Sequence, residues 1–313
     1  ADLFKPLPAQ ALLVGFLALP FLIWEQFGSH LLMGLDRLSI YNRYLVIGRS
    51  LGLLTLLVMV GILGWGVTGA LGASVAGQVV VALGGIGFLL AQARQSGESI
   101  RVSSEECRAL VIGGLKLHPN AIGMFIITSA NILVLNHYHG AEQTGYFQLS
   151  LQLVFTLAII PQAASMVIYG LVTRKGPNGS WPESRRLLGQ VTLVMTCLAA
   201  VAAIFAPGII PRLAGPAFTP AVEPFQWMML GVLGITFSTV MAPQWIGRGY
   251  LLHAAGISIL VGAINLCANL LLIPKYGMNG AVLAFIGTYL FSVLANGAMA
   301  VHCEHQFRME QTL

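Results

Sequence analysis

Charge is what this sequence has least of. Sixteen Lys and Arg and eleven Asp and Glu in 313 residues amount to 9% charged side chains, against roughly 25% in a soluble domain. A water-facing globule of this length is therefore excluded, because it would have too little polar surface. Cysteine is nearly absent as well. Cys107, Cys197, Cys267 and Cys303 have no metal-finger or redox spacing, which removes a disulfide scaffold and a zinc module from consideration. His137 with His139, and His302 with His305, are too few and too loosely spaced to form a metal site. There is no phosphate-binding loop and no Ser/His/Asp set, and Gly84, Gly85 and Gly87 sit inside an apolar run with no strand before them. No catalytic apparatus, cofactor or metal is expected, and the chain does not read as an enzyme.

What the chain has is length of hydrophobic run. Hydrophobic residues are 57% and mean hydropathy is +0.81. Nine stretches, at 9–33, 43–65, 67–91, 111–136, 143–172, 187–211, 220–246, 250–273 and 279–302, each reach the roughly 20 residues that a helix needs to cross a 30 Å hydrocarbon layer. Long continuous runs point to helices; a barrel would show short alternating segments. The 36 glycines read as helix-packing residues, with Gly48 to Gly52 and Ala70 to Ser74 at the four-residue spacing that lets membrane helices approach. The fold class is all-α, a polytopic transmembrane bundle of about nine spans.

Lys and Arg resist translocation and collect on the cytoplasmic side. Thirteen of the sixteen fall in alternate connections and the tail, leaving Lys5, Arg212 and Lys275 on the other side. This places the 92–112 connection and the C-terminus in the cytoplasm and residue 1 outside. The net charge of +5 follows from that bias, so membrane lipids are expected partners and nucleic acid is not. The Ser-, Glu- and Arg-rich stretch from Gln92 to Arg108 is the seam between bundles. It separates a partial first lobe of about three helices (1–92) and a linker (93–112) from a second lobe of six helices (113–313). A six-plus-six transporter would then lack its first three helices here.

Three stretches carry a family resemblance. "NLCANLLLIPKYGMNGAVLAFIGTYL" (Asn265 to Leu290) has an Asn-bearing helix ending at Ile273-Pro274, a turn at Lys275-Tyr276-Gly277 and a restart at Asn279-Gly280-Ala281. "GLKLHPNAIGMFIITSANILVLNHYHGAEQTGYFQLSLQL" from Gly114, with Gly145-Tyr146 opening a helix, and "GLDRLSIYNRYLVIGR" from Gly34 to Arg49 keep the same order. Together they resemble Wzx-type polysaccharide flippases of the multidrug/oligosaccharidyl-lipid/polysaccharide exporter (MOP) superfamily. The resemblance implies a two-lobe, alternating-access transporter that moves undecaprenyl-diphosphate-linked oligosaccharide repeats across a bacterial inner membrane, with polymerase and other polysaccharide-assembly proteins as partners. Its second lobe would be complete and its first partial. Where many relatives carry an Asp and a basic residue in the seventh helix, this chain has Asn131 and Ile132, which puts ion coupling there in doubt. A lipid II flippase, an ion-coupled multidrug exporter of the same superfamily, and a membrane glycan polymerase or acyltransferase are the competing readings.

The candidate site residues are polar groups inside spans and cations near their inner ends. Glu25 is deep in the first span, where charge is costly and faces a cavity or a partner, while Glu223 reads as interfacial. Gln148 with Gln152, and Asn265 with Asn269, are four apart and so share helix faces. Such faces avoid lipid, either by bonding neighbouring helices or by lining a path for sugar hydroxyls. Gln162, Gln226 and Gln244 belong with them. Arg43, Arg49, Lys116 and Arg248 lie toward cytoplasmic helix ends, where they could meet a diphosphate or serve topology alone. Pro20, Pro161 and Pro243 permit kinks within spans.

Overall fold

The computed structural model describes residues 9–35, 37–95 and 103–311, and these are helical nearly throughout. The elements are α1 (Ala9–Gly34), α2 (Leu38–Leu56, continued by a π-turn at Leu57–Ile62), α3 (Gly66–Gln95), α4 (Ser104–Leu157), α5 (Ile159–Gly179), α6 (Trp181–Ala214), α7 (Val222–Met228), α8 (Val232–Gly247) and α9 (Leu251–Gln311). Short 3-10 turns at Pro216–Ala221 and Met229–Gly231 flank α7. The chain divides into two compact units, Ala1–Ser103 and Ser104–Leu313, with the division falling inside the 93–112 stretch.

Six helices among the described residues are long and apolar enough to cross a membrane, against the nine runs expected from sequence. The difference arises because Ala121–Gly179 and Leu251–Met309 are helical runs of 59 residues each that reverse direction within themselves. In addition, the apolar part of α1 is the shorter Leu13–Ser29. Gly140 (φ 78°) and Gly277 (φ 56°) supply backbone conformations that L-residues rarely adopt. The Asn265 amide donates to Thr288 Oγ1 at 3.0 Å, although 23 residues of straight helix would separate them by about 35 Å. Thr128 and Phe155 line one cavity, although a straight helix would hold them about 40 Å apart. Each long element is thus two limbs packed back to back.

In the second unit the core is built from one face of each helix. Phe147, Leu151, Val154 and Ala158 on α4, and Val191, Met195 and Ala199 on α6, recur every three or four residues and are buried, as helical periodicity requires. The opposite faces remain apolar: Leu193, Ile204, Phe205 and Leu213 are all exposed. A soluble protein would not present so much contiguous apolar surface; a bilayer covers it.

In the first unit α2 and α3 cross at glycine. A Cβ on Gly48 would lie 2.6 Å from the Gly77 carbonyl oxygen, and one on Gly77 would lie 2.7 Å from the Gly48 oxygen, so this crossing tolerates no side chain at either position. The buried stripe of α3 is Gly69, Ala73, Gly77 and Val81, one residue out of register with the expected Ala70 and Ser74. Ser74 is exposed, and its hydroxyl bonds back to the Ala70 carbonyl at 3.2 Å.

Candidate functional site

A concavity lies inside the second unit, between both limbs of α4, α5, α8 and both limbs of α9. It encloses about 370 Å³. Most of its wall is apolar, but one side is polar. The Ser238 and Ser292 hydroxyls lie 2.7 Å apart. Asn296 donates to the Ser292 carbonyl at 2.9 Å and accepts the Trp245 indole N–H at 3.0 Å. Thr128 and Gln162 also line the cavity. None of the described residues lining the cavity carries a charge. It is suited to a neutral, partly apolar guest that accepts and donates hydrogen bonds, and it offers no counter-charge to an ion.

Of the expected lining residues, Gln162 meets this cavity and is exposed to it. Gln148 and Gln152 are exposed on the second limb of α4. Others lie in the packed interior. Asn269 donates to Asn131 Oδ1 at 2.9 Å and to Asn265 Oδ1 at 2.9 Å, and Asn265 in turn donates to Thr288. This chain of amides joins both long elements, and Asn131, Asn265 and Asn269 have at most 1% of their surface exposed. Gln244 is likewise buried, donating to Ser180 Oγ at 3.0 Å and Ser184 Oγ at 2.8 Å. Burying an amide is costly unless it is bonded; these bonds to neighbouring helices satisfy part of each amide, while Asn131 Nδ2, Asn269 Oδ1 and Gln244 Oε1 are buried without a partner. Gln226 donates to the Ala203 carbonyl at 2.8 Å, and Glu223 is exposed.

The expected cations separate into different roles. Arg248 donates to Asn178 Oδ1, and its guanidinium lies 5.2 Å from the Trp181 ring centroid, a cation–π arrangement. Its Nε and Nη2 are buried without a partner. Arg43 is exposed, and the Lys116 side chain lies outside the described residues. Arg49 is not at a helix end. It stands well inside α2 and donates to Glu25 Oε1 at 2.7 Å, so Glu25 faces a partner. Both residues are in the first unit.

Sequence reading missed two groups of residues. Ser238, Ser292 and Asn296 form the polar wall, but single hydroxyls in apolar spans carry no distinctive spacing. His139, expected in a solvated loop, is half-buried and bonds the Ile273 carbonyl at 2.8 Å. The reversal at Gly277 creates that free carbonyl, and local sequence does not display it.

No family model and no curated protein matches the chain. Solved structures do. A multidrug resistance MATE family transporter of the MOP superfamily matches in its outward-facing conformation with a TM-score of 0.73 at 14% identity, over 98% of this chain and 73% of that one. A multidrug resistance MATE family transporter in an inward-facing conformation matches with a TM-score of 0.72 at 14% identity, over 97% and 72%. A MOP superfamily transporter from Pyrococcus furiosus Vc1, described by the reversed polarity of its binding pocket, matches with a TM-score of 0.71 at 15% identity, over 98% and 73%. The chain carries the fold of MATE family transporters of the MOP superfamily.

Proposed function

We propose that this chain is a membrane transporter that flips diphosphate-linked oligosaccharide lipids between the leaflets of a bacterial inner membrane, by alternating access between two helical lobes. One observation carries the substrate: the cavity of the second unit pairs apolar surface with hydroxyl and amide groups, and no described residue that lines it is charged. Sugar hydroxyls exchange hydrogen bonds with Gln162, Ser238 and Asn296 on equal terms, while the prenyl chain needs no shelter from lipid. Alternating access is supported by the likeness to MATE family transporters solved in outward- and inward-facing conformations.

On this reading α4 and α9 each cross the membrane twice, and with α1, α2, α3, α6 and the α7–α8 segment crossing once the chain makes nine crossings. The C-terminus is cytoplasmic. Polymerase and assembly proteins would consume the flipped lipid outside.

The multidrug reading has an observation of its own, since a matching fold belongs to a multidrug resistance transporter. The uncharged cavity weighs against cationic drugs, which gain from a carboxylate. The test is leaflet accessibility of lipid-linked repeats in cells with and without the gene, alongside drug susceptibility. Build-up of inner-leaflet repeats on deletion, reversed by the intact gene and not by Gln162→Leu with Asn296→Leu, supports glycan flipping. Unchanged repeats together with raised drug susceptibility reject it in favour of drug export.

A further inference from the structure

The cavity of the second unit is lined by two kinds of polar side chain. Ser238, Ser292 and Asn296 are bonded to one another, to the Trp245 indole and to backbone carbonyls. Thr128 is satisfied too, by the Met124 carbonyl at 2.9 Å. Gln162 on α5, Thr239 on α8 and Tyr289 on the second limb of α9 line the same space, yet their side chains make no hydrogen bond among the described residues.

Tyr289 stands apart because it is otherwise packed, with 8% of its surface exposed. Its ring meets Phe285 at a centroid distance of 4.7 Å and an angle of 61°. A Cβ on Gly234 would lie 2.5 Å from the Tyr289 carbonyl oxygen and 2.7 Å from its Cβ, so α8 backs directly onto this residue and fixes where it stands. Phenylalanine would fill the same space. A buried hydroxyl without a partner is costly, and the fold gains nothing from this oxygen. Thr239 raises the same question. Thr128, Thr236 and Thr288 bond back to a carbonyl one turn before them, as a hydroxyl in an apolar helix does; Thr239 does not.

Two hydroxyls and one amide, each able to donate and to accept, thus meet a guest from three helices. Phe155, Trp245 and Tyr289 add flat apolar surface beside them. No described residue lining the cavity is charged, so a carboxylate or phosphate drawn in would be buried without compensation. The volume of about 370 Å³ is at the small end of the roughly 300–1,000 Å³ of ligand pockets, enough for a sugar ring and its linkage and too little for a whole repeat unit.

We propose that this cavity recognises one neutral sugar ring, with Tyr289, Thr239 and Gln162 as its hydrogen-bonding residues, and rejects uronic acids and phosphorylated sugars. The source of the sugar, a lipid-linked repeat, rests on the transport reading above; the preference for a neutral ring rests on the cavity itself. A site built to hydrogen-bond its guest discriminates sharply against one that leaves its polar groups unpaired.

The test titrates the full chain, purified in a zwitterionic detergent with no sugar headgroup, by calorimetry. The probes are the hexyl and methyl glycosides of glucose, galactose and N-acetylglucosamine, with hexyl glucuronide and hexanol for comparison. At least one neutral hexyl glycoside should bind the wild-type chain, about tenfold or more tighter than hexyl glucuronide does. Tyr289→Phe and Thr239→Val should each weaken that binding about tenfold, the loss of one hydrogen bond, with Tm at or above the wild-type value because neither hydroxyl is bonded within the fold. Tyr276→Phe, at an exposed position, is the control and should bind as the wild type does. Should Thr239→Val fail to fold, Tyr289→Phe, which removes a single oxygen, carries the expectation alone. Binding of methyl and hexyl glycosides alike supports a site for the ring itself, and binding of the hexyl form alone supports a site for a lipid-borne sugar. No neutral glycoside bound by the wild-type chain, wild-type affinity in Tyr289→Phe, lost binding together with a lowered Tm in that variant, or equal affinity for hexyl glucuronide or for hexanol overturns the proposal. That failure would leave the cellular flipping assay untouched, whereas unchanged lipid-linked repeats with this binding pattern intact would reject the flippase reading and keep the sugar site.

Discussion

Gln143 Oε1 accepts the backbone N–H of Met278 at 3.2 Å, so a side chain just after one chain reversal caps the helix that starts after the other. His139, just before Gly140, satisfies the Ile273 carbonyl from the opposite side. The turns at Gly140 and Gly277 thus supply each other with the partners that helix ends lack. A Cβ at position 277 would lie 2.7 Å from Gln143 Oε1, on a backbone with φ of +56°. Gly277→Ala should therefore cost more than the ~1–2 kcal/mol of a left-handed residue alone and lower the Tm of the detergent-solubilised chain by several degrees. Gln143→Leu should cost about 1 kcal/mol, as a lost cap does. Gly287→Ala, where a Cβ meets nothing within 4 Å, is the control and should leave Tm unchanged or slightly raised. Equal Tm for Gly277→Ala and Gly287→Ala would refute the mutual cap.

The α2–α3 crossing makes a prediction of the opposite chemical kind, from crowding. Gly48→Leu must push the Gly77 backbone away, since the first added atom already lies 2.6 Å from its carbonyl oxygen. Overpacking of this sort costs roughly 1–3 kcal/mol where side chains can adjust, and backbone adjusts less. Limited proteolysis of the purified chain should find the first unit cleaved faster than in the wild type while the second unit keeps its rate. Gly15→Leu, with open space around it, should leave both rates alone.

The amide chain from Asn131 through Asn269 and Asn265 to Thr288 predicts an order of stabilities. Asn269→Leu removes two donated bonds; at about 0.6 kcal/mol each in a membrane protein, the loss is near 1 kcal/mol. Asn131→Leu removes one acceptor and should cost less. Asn131→Asp places a carboxylate in a site with 1% exposure and no cationic neighbour among its bonded partners, so its Tm should fall below that of both leucine variants. If Asn131→Asp proves as stable as wild type, the site holds a positive charge and the neutral description is wrong.

How much of this was legible in the sequence depends on whether the signal was local. Helices were, because runs such as 187–211 exceed a bilayer's thickness without interruption, and the second unit's core follows the three- and four-residue spacing of Phe147, Leu151 and Val154. Glu25 was singled out because a carboxylate among Leu, Ile and Trp is costly wherever the chain goes. Its partner was not, since a 24-residue separation leaves no periodic trace, and Arg49 resembled a topology signal near a helix end. Asn265 and Asn269 share a face as their spacing requires, but which element covers that face is a tertiary fact. The buried stripe of α3 was displaced by one residue because Ala70, Ser74, Ala73 and Gly77 all repeat at four, and small size alone does not choose between neighbouring registers.

Two span glutamines separate the structural role from the transport role. Gln244 is buried and donates to Ser180 and Ser184, tying α8 to the turn between α5 and α6. Gln162 is exposed on the cavity wall, and its side chain makes no hydrogen bond among the described residues. Replacing each with Leu changes the same atoms in opposite contexts. Gln244→Leu removes two bonds donated to buried hydroxyls, which keep their own bonds to backbone carbonyls, and should lower stability by about 1 kcal/mol, with transport per folded molecule unchanged. Gln162→Leu loses no internal partner, so its Tm should stay within a degree or two of wild type. On the proposed flippase reading the cavity would nonetheless lose an amide open to its guest, and the rate of lipid-linked repeat export should fall about tenfold, the effect of one hydrogen bond worth roughly 1.4 kcal/mol. Measuring Tm and export for both variants in parallel decides the assignment. If the two variants fall together in both measurements, the cavity has no privileged role and Gln162 is one more packing residue.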